Sequence, residues 1–153
     1  KAETSPHLLE MSRIVKVIRG FSELVSDQDD ALVAIILNIQ SGSQIVAGSG
    51  TSGDGIISML AAGNAFKAME GWKPASREAF LAANPDHIVI THRGFDMAGG
   101  MDGLARVIEI ASTNAFKEGR VYVVDGMSLL GYGPRTLGVT ANLFADIFPS
   151  AKF

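Results

Sequence analysis

The eight residues at positions 32–39, LVAIILNI, constrain the fold of this chain more than any other stretch. They form a nearly continuous run of apolar, mostly branched side chains, without the polar and apolar alternation that a half-exposed strand shows. Such a run is typical of a strand buried on both faces, which occurs where helices cover both sides of a parallel sheet. The sequence therefore predicts an α/β arrangement with helices on each face of a central sheet.

Strand-like and helix-like segments alternate along the rest of the chain. Strands are predicted at 44–47, 87–92 and 120–125, and helices at 54–62, 76–83, 102–111 and from Pro134 to about 147. Ser76 is the expected N-cap of the second of these helices. This order predicts a three-layer α/β lobe with a mainly parallel, twisted sheet and right-handed crossovers.

A separate helix is predicted ahead of the sheet. Apolar residues recur at three- and four-residue spacings over 7–25, and the polar stretch 26–30 follows. We therefore predict two units, a long linker-type helix at 1–30 and an α/β ligand-binding lobe at 31–153. The apolar stripe of that helix has to pack against this lobe, another lobe or a second chain.

Charge and residue content argue against several functions. Charged residues make up 19% of the chain and the net charge is −3, so no electrostatic footprint for nucleic acid is visible. The chain contains no cysteine, which excludes disulfides, thiolate metal ligands and a cysteine nucleophile. No apolar run approaches the roughly 20 residues that a membrane-spanning helix needs.

The segment GSGTSG at 48–53 matches the G-x-G-x-x-G pattern of dinucleotide-binding turns. That fingerprint also needs a second strand that ends in an acidic residue about 20 residues later. Glu70 has the right spacing, but residues 64–69 are typical of a helix or a loop. We therefore interpret the glycines as permitting a tight turn from strand to helix. A nucleotide-dependent enzyme is the less favoured alternative.

Ligands of open parallel sheets bind beyond the carboxyl ends of the strands. The predicted strand ends lead into loops at 40–43, 48–53, 91–101 and 125–133, which we expect at one rim of the sheet. These loops contain no Ser-His-Asp order, close carboxylate pair, phosphate-binding lysine loop or zinc-binding spacing. The pattern favours binding over catalysis, and no enzymatic activity is predicted.

Two adjacent side chains after the third predicted strand are candidate ligand contacts. The planar guanidinium of Arg93 suits a carboxylate, and an ion pair with Asp96 or Asp125 is the alternative. His92 and Tyr132 are groups able to bind iron in a cleft. For His92 the alternative is a local hydrogen bond at the end of the strand.

Other side chains near these loops have two interpretations. Alternation along the strand places His92 on the face of Ile88 and Ile90. Phe95 either stacks on a flat ligand or covers the edge of the core. The methionines are expected to fill gaps in the core more often than to bind a ligand: Met97, Met101 and Met127.

Four stretches, taken in order, resemble the haem-binding periplasmic proteins of bacterial haem ABC importers. They are 46–56, 71–74 (GWKP), 90–94 (ITHRG) and 123–136 (VVDGMSLLGYGPRT), of which the last is the most specific. The resemblance covers roughly 30–148, and the helix at 7–25 is similar to part of the long helix that joins the two lobes of such proteins. The resemblance thus implies an interlobe helix and a second lobe.

This resemblance implies a periplasmic lobe that binds haem as a transported ligand and delivers it to an ABC importer permease. Arg93 is implied to reach toward the haem, and 129–133 to pack on the porphyrin edge. The implied haem contacts are His92, Arg93, Gly94, Phe95, Leu130, Tyr132 and Gln40. A corrinoid or iron-siderophore lobe of the same architecture is the alternative.

The iron ligand stays unassigned. In the resembled family the main axial tyrosine comes from the first lobe, and the loop 40–43 lacks the histidine that some relatives carry there. A first lobe or a second chain is therefore expected to complete the cleft. Three acidic residues either contact the permease or lie on the solvated surface: Glu109, Glu118 and Asp146.

Overall fold

The computed structural model describes residues 31–40 and 42–148, so the helix predicted at 7–25 and the unit 1–30 lie outside the described residues. The strands are β1 (Leu32–Gln40), β2 (Ser43–Ala47), β3 (Gly63–Asn64), β4 (Trp72–Ala75), β5 (His87–Thr91) and β6 (Val121–Val124). The helices are α1 (Ser52–Met59), α2 (Arg77–Ala83), α3 (His92–Ala98), α4 (Gly100–Ala105), α5 (Ile108–Ala111), α6 (Asn114–Lys117), α7 (Gly126–Leu130) and α8 (Thr136–Ile147).

The strands form one mixed sheet in the order β4-β2-β1-β5-β6, with β3 paired to the start of β1. The pairs β1–β5, β5–β6 and β1–β3 are parallel, whereas β1–β2 and β2–β4 are antiparallel. The predicted fold class, an α/β unit with helices around a sheet, is confirmed. The expectation that 48–53 lies at the same rim as the loops after β1, β5 and β6 is wrong, because β2 runs antiparallel to β1 and ends at the opposite rim. Only two residues connect β1 to β2, and a parallel crossover needs a dozen or more.

The central strand β1 is buried from both sides, as its apolar run predicts. Val33 and Ile35 face one core, which holds side chains of α1, α7 and α8, including Ile56, Leu129 and Phe144. Ala34 and Ile36 face the other core, which holds side chains of α2, α4 and α5, including Phe80, Leu104 and Ile110. Helices therefore cover both faces of the sheet, and the unit has three layers.

The glycines of the 48–53 segment serve packing. Gly48 donates its N–H to the carbonyl of Gly71 at 2.9 Å, and a Cβ on Gly48 would lie 2.5 Å from the Met69 carbonyl oxygen. A Cβ on Gly53 would lie 2.7 Å from the Cβ of Ala47. The backbone therefore approaches its neighbours more closely than any other residue would allow, which agrees with the tight-turn interpretation.

The turn into α1 is closed by its own polar groups. The Thr51 hydroxyl caps the helix by accepting from the Asp54 N–H at 3.0 Å. The Asp54 carboxylate accepts from the Gly50 N–H at 3.2 Å and from the Asn64 amide at 3.0 Å. Glu70 pairs with Ser49 in an isolated bridge at the end of this loop. No strand of the described chain carries Glu70 toward a nucleotide.

Several element bounds differ from those predicted. β4 was not predicted, because it contains Pro74 and two exposed residues, as an edge strand tolerates. The predicted helix at 102–111 consists of α4 and α5, since Val107 between them has an extended backbone. Ser76 caps α2 as predicted, accepting from the Ala79 N–H at 3.0 Å.

Candidate functional site

An open cleft of about 540 Å³ lies where β1, β5 and β6 end. Its lining residues come from β1, from the end of β5, from the start of α3 and from α7 with its two caps: Leu37, Asn38, Thr91, His92, Arg93, Asp125, Gly126, Met127, Leu130 and Gly131. The carboxyl ends of parallel strands are where a ligand is expected to bind. α3 follows β5 and α7 follows β6, and Gly94 and Leu129 pack on opposite faces of the sheet. The cleft therefore straddles the edge of the sheet.

Thr91 organises the floor of the cleft. Its hydroxyl donates to the carbonyl of Leu37 at 2.5 Å and accepts from the N–H of Gly94 at 3.0 Å. One side chain therefore ties the end of β1 to the end of β5 and caps α3. Gly94 is buried in this contact, because a Cβ there would lie 3.2 Å from both the Ile90 Cγ1 and the Leu37 carbonyl oxygen.

The cap also positions two of the predicted site residues. His92 and Arg93 occupy the first turn of α3, are exposed, and both line the cleft. The prediction that the strand continues through His92 is wrong, because the Thr91 hydroxyl takes the Gly94 N–H and starts a helix. Consequently His92 does not follow the alternation of Ile88 and Ile90.

The guanidinium of Arg93 is available to a ligand. Within the described residues, Arg93 forms no ion pair with Asp96 or Asp125 and no side-chain hydrogen bond. The alternative interpretation of Arg93 as half of a surface ion pair therefore finds no support in this part of the chain. The arginine is exposed at the rim of the cleft.

The opposite wall of the cleft is α7. Asp125 caps this helix, and its carboxylate accepts from the Ser128 hydroxyl at 2.6 Å and the Ser128 N–H at 3.0 Å. These two hydrogen bonds lower the pKa of the Asp125 carboxyl, and the nearby charges of His92 and Arg135 lower it further. Asp125 is therefore a carboxylate held by its own helix, and it lies within electrostatic reach of His92 across the cleft.

Met127 projects from α7 into solvent with 82% of its surface exposed, although it lines the cleft. The expectation that the loop methionines fill the core is wrong, since Met97 and Met101 are also 51% and 46% exposed. Leu129 is the residue of this helix that enters the core, and Leu130 lines the cleft beside Met127. An apolar, polarisable wall therefore faces the arginine.

Tyr132 is turned away from the cleft. Its backbone has φ +53°, and its hydroxyl donates to the carbonyl of Ser52 at 3.0 Å. Partial burial raises the pKa of the Tyr132 phenol, and the charge of Asp54 raises it further. The Tyr132 hydroxyl is therefore engaged at the start of α1 and is not among the groups that line the cleft.

The sequence-predicted contacts thus separate into groups. His92, Arg93 and Leu130 line the cleft together. Gly94 does not line it but packs against the backbone of Leu37 and Asn38, which do. Phe95 is half-buried and packs on the core that contains Ile36, so it covers the core edge. Gln40 is exposed at the end of β1 and does not line the cleft. Leu37, Asn38 and Met127 line the cleft and were missed, because apolar and amide side chains carry no functional signature in a single sequence.

The described residues contain no group of three or more His, Asp or Glu side chains placed to hold a metal ion. None of the helices in this part of the chain is long and apolar enough to cross a membrane. Of the acidic residues considered for docking, Glu109 is 7% exposed and pairs with Arg77 at 3.6 Å, so its expected place on the surface is wrong. Glu118 and Asp146 are exposed.

A family model described as periplasmic binding protein matches residues 11–127. The chain belongs to that family. One solved structure of similar fold is a periplasmic heme-binding protein from Pseudomonas aeruginosa, with 30% sequence identity and a TM-score of 0.83. A second is the periplasmic heme-binding protein BhuT in complex with two hemes, with 27% identity and a TM-score of 0.83. A third is the periplasmic heme-binding protein RhuT from Roseiflexus sp. RS-1, with 27% identity and a TM-score of 0.77.

The alignment with the Pseudomonas protein covers 95% of this chain but 53% of the Pseudomonas chain. The alignments with BhuT and RhuT each cover 94% of this chain, but 55% of the BhuT chain and 56% of the RhuT chain. This chain of the periplasmic binding protein family therefore spans about half the length of these solved relatives. No curated protein matches its sequence significantly. The family predicted from the sequence is confirmed as a periplasmic binding protein family.

Proposed function

We propose that this chain is one half of a periplasmic haem-binding protein that delivers haem to an ABC importer permease. The observation that carries the proposal is the exposed guanidinium of Arg93, which has no ion-pair partner among the described residues and lies at the rim of a cleft with an apolar wall. The resemblance of the sequence and the similarity to heme-binding proteins support the same ligand.

The chemistry of the cleft suits a flat molecule that carries acids. Haem is an apolar macrocycle with two carboxylates at one edge, so it needs an apolar surface and a cation beside it. Met127 and Leu130 offer the apolar surface, and the planar fork of Arg93 binds both oxygens of a carboxylate. Two hydrogen bonds from Ser128 hold the Asp125 Oδ2 atom at the start of α7, and Asp125 forms no ion pair with Arg93 in the described part of the chain.

His92 is the one histidine of the described chain that lines the cleft, and we assign it as the nitrogen group nearest to the bound iron. His87 is buried beneath the sheet edge and approaches the Tyr122 hydroxyl at 3.1 Å, so it does not reach the ligand. In this proposal Arg93 sets the orientation of the haem, and His92 faces the macrocycle.

All lining residues come from one edge of one sheet, so the described part of the chain offers the ligand one side of a cleft. We infer that a second lobe or a second chain closes the other side. One-sided contact leaves half the macrocycle in water, and we therefore expect weaker haem binding by this chain alone than by the closed protein.

A hemin titration followed at the Soret band tests the proposal. We would titrate this chain alone and joined to the remaining half of the Pseudomonas aeruginosa protein. Hydrogen bonds to charged groups contribute roughly 1.5–3 kcal/mol, so Arg93→Ala should weaken binding about tenfold to hundredfold, and Arg93→Lys should weaken it less. Arg106→Ala is the matched control, because Arg106 is an exposed arginine outside the cleft.

Absence of a Soret change in both forms of the protein would contradict the proposal. Equal losses in Arg93→Ala and Arg106→Ala would contradict the role of Arg93. Competition by a corrinoid or an iron-siderophore that displaces hemin at lower concentration would favour the alternative ligands. Thermal protection by NAD or ATP without protection by hemin would instead favour nucleotide binding.

A further inference from the structure

An irregularity in β1 turns Asn38 toward the cleft. Ile36 pairs with Val46, but Asn38 pairs with Ile45, so Leu37 is an extra residue in the ladder. Before this bulge, even-numbered residues such as Ile36 face the core beneath α4 and α5. After the bulge, Asn38 lies on the same face of the sheet as its partner Ile45, which is the face that α7 covers. The side chain changes face because a one-residue slip moves every following side chain to the other side of the sheet.

The side-chain amide of Asn38 is left with an unused acceptor. Asn38 lines the cleft, and its Oδ1 atom is buried and accepts no hydrogen bond from the described residues. A buried polar atom without a partner costs stability, and native proteins rarely leave one without a reason. Gln44 Oε1 and Thr136 Oγ1 share this condition, but neither residue lines the cleft.

The surrounding structure keeps Asn38 in this position. The Thr91 hydroxyl donates to the carbonyl of Leu37, the bulged residue itself. Because Gly94 has no side chain, α3 packs closely on β1 at Asn38. A Cβ on Gly94 would lie 3.3 Å from the Asn38 Cα. The bulge is thus fixed from the neighbouring strand and from the helix that carries Arg93.

We propose that the Asn38 amide is a recognition group for the ligand of this cleft, its Oδ1 accepting a hydrogen bond from a water that donates its other hydrogen to a carboxylate of the ligand. The inference rests on the proposed function and deepens it. Arg93 supplies the charge that binds an acid, and Asn38 supplies a neutral polar contact at the floor of the same cleft. An apolar wall with two polar contacts at fixed places orients a flat ligand, whereas the wall alone would not.

The test is Asn38→Leu, which keeps the size of the side chain and removes its polar atoms. The variant should be more resistant to urea, because an unpaired buried acceptor is gone, and yet bind hemin about tenfold more weakly. Gln44→Met is the matched control: it also removes an unpaired buried acceptor, but away from the cleft, so it should leave hemin affinity unchanged.

Two results would overturn the proposal. If the unaltered protein binds hemin and Asn38→Leu binds it equally well, Asn38 is not a ligand contact and the proposed function stands. If the unaltered protein binds no hemin, the role of Asn38 and the proposed haem-binding function are both contradicted. Should Asn38→Leu not fold, the side-chain amide resonance of Asn38 in the unaltered protein gives the answer. It should move when zinc protoporphyrin IX is added, and an unmoved resonance would contradict the proposal.

Discussion

Thr91→Val should damage stability and ligand binding together. Thr91 is 3% exposed, and its hydroxyl makes two hydrogen bonds, to the Leu37 carbonyl at 2.5 Å and from the Gly94 N–H at 3.0 Å. Valine has nearly the same shape, so it leaves no cavity. The change removes only the hydroxyl, so a half-buried carbonyl and a buried N–H lose this partner.

The expected loss follows from those two groups. Loss of a helix N-cap costs about 0.5–2 kcal/mol. Loss of the hydrogen bond to the Leu37 carbonyl adds a further cost of about 1 kcal/mol. Since the contributions are not independent, we expect the free energy of unfolding to fall by about 1–3 kcal/mol. Hemin affinity should fall as well, because the same hydroxyl positions Arg93 through α3 and Asn38 through the bulge.

Thr113→Val is a closely matched control. Thr113 is 1% exposed, caps α6 by accepting from the Phe116 N–H at 3.1 Å, and donates to the Ile110 carbonyl at 2.6 Å. α6 lies near Pro85, at the amino end of β5 and away from the cleft. Urea unfolding should show a loss for both variants, smaller for Thr113→Val because the Ile110 carbonyl keeps the Thr113 N–H at 3.0 Å, while hemin titration should show a loss for Thr91→Val alone. Unchanged hemin affinity in Thr91→Val, or equal losses in both variants, would refute this account of the cleft floor.

Two further predictions concern the glycines and the tyrosines. Gly48→Ala should lower the free energy of unfolding by about 1–3 kcal/mol, because the new Cβ would lie 2.5 Å from the Met69 carbonyl oxygen. Gly138→Ala should raise it by about 0.5–1 kcal/mol, because a Cβ there has no atom within 4 Å and alanine favours the helix. Urea unfolding measures both changes. Burial raises the pKa of Tyr122 and Tyr132 above 10.0, so ultraviolet absorbance should show both phenols titrating above that pH. The stability that these two pKa shifts contribute should be complete below about pH 10 and should be lost as the pH rises through the folded pKa values. A tyrosine that titrates at or below pH 10 in the folded chain would contradict the assigned environments.

The sequence predicted the fold where side-chain patterns have a single physical explanation. The apolar run in β1 requires two covered faces, and the structure places Ile35 and Ile36 in separate cores. The orientation of β2 was mispredicted, although the two-residue connection between Gln40 and Ser43 is too short for a parallel crossover. The edge strand β4 was missed because exposed strands carry little apolar signal.

The candidate site was predictable in part. Arg93 and His92 were found because charged and imidazole groups after a buried strand stand out in a sequence. The position of Asn38 depends on a bulge, and a bulge is set by tertiary contacts such as the one between Thr91 and Leu37. Tyr132 has a residue type that suits iron, but its orientation follows from a hydrogen bond to Ser52, which lies 80 residues away in sequence.

Amide chemical-shift mapping with zinc protoporphyrin IX, a diamagnetic haem analogue, tests most directly whether the cleft between α3 and α7 receives the macrocycle. The largest shifts should fall on residues that line it, including Asn38, His92, Arg93 and Met127, and the 48–53 segment should move little. Shifts centred on 48–53, or spread evenly over the surface, would contradict the assignment of this cleft as the binding site.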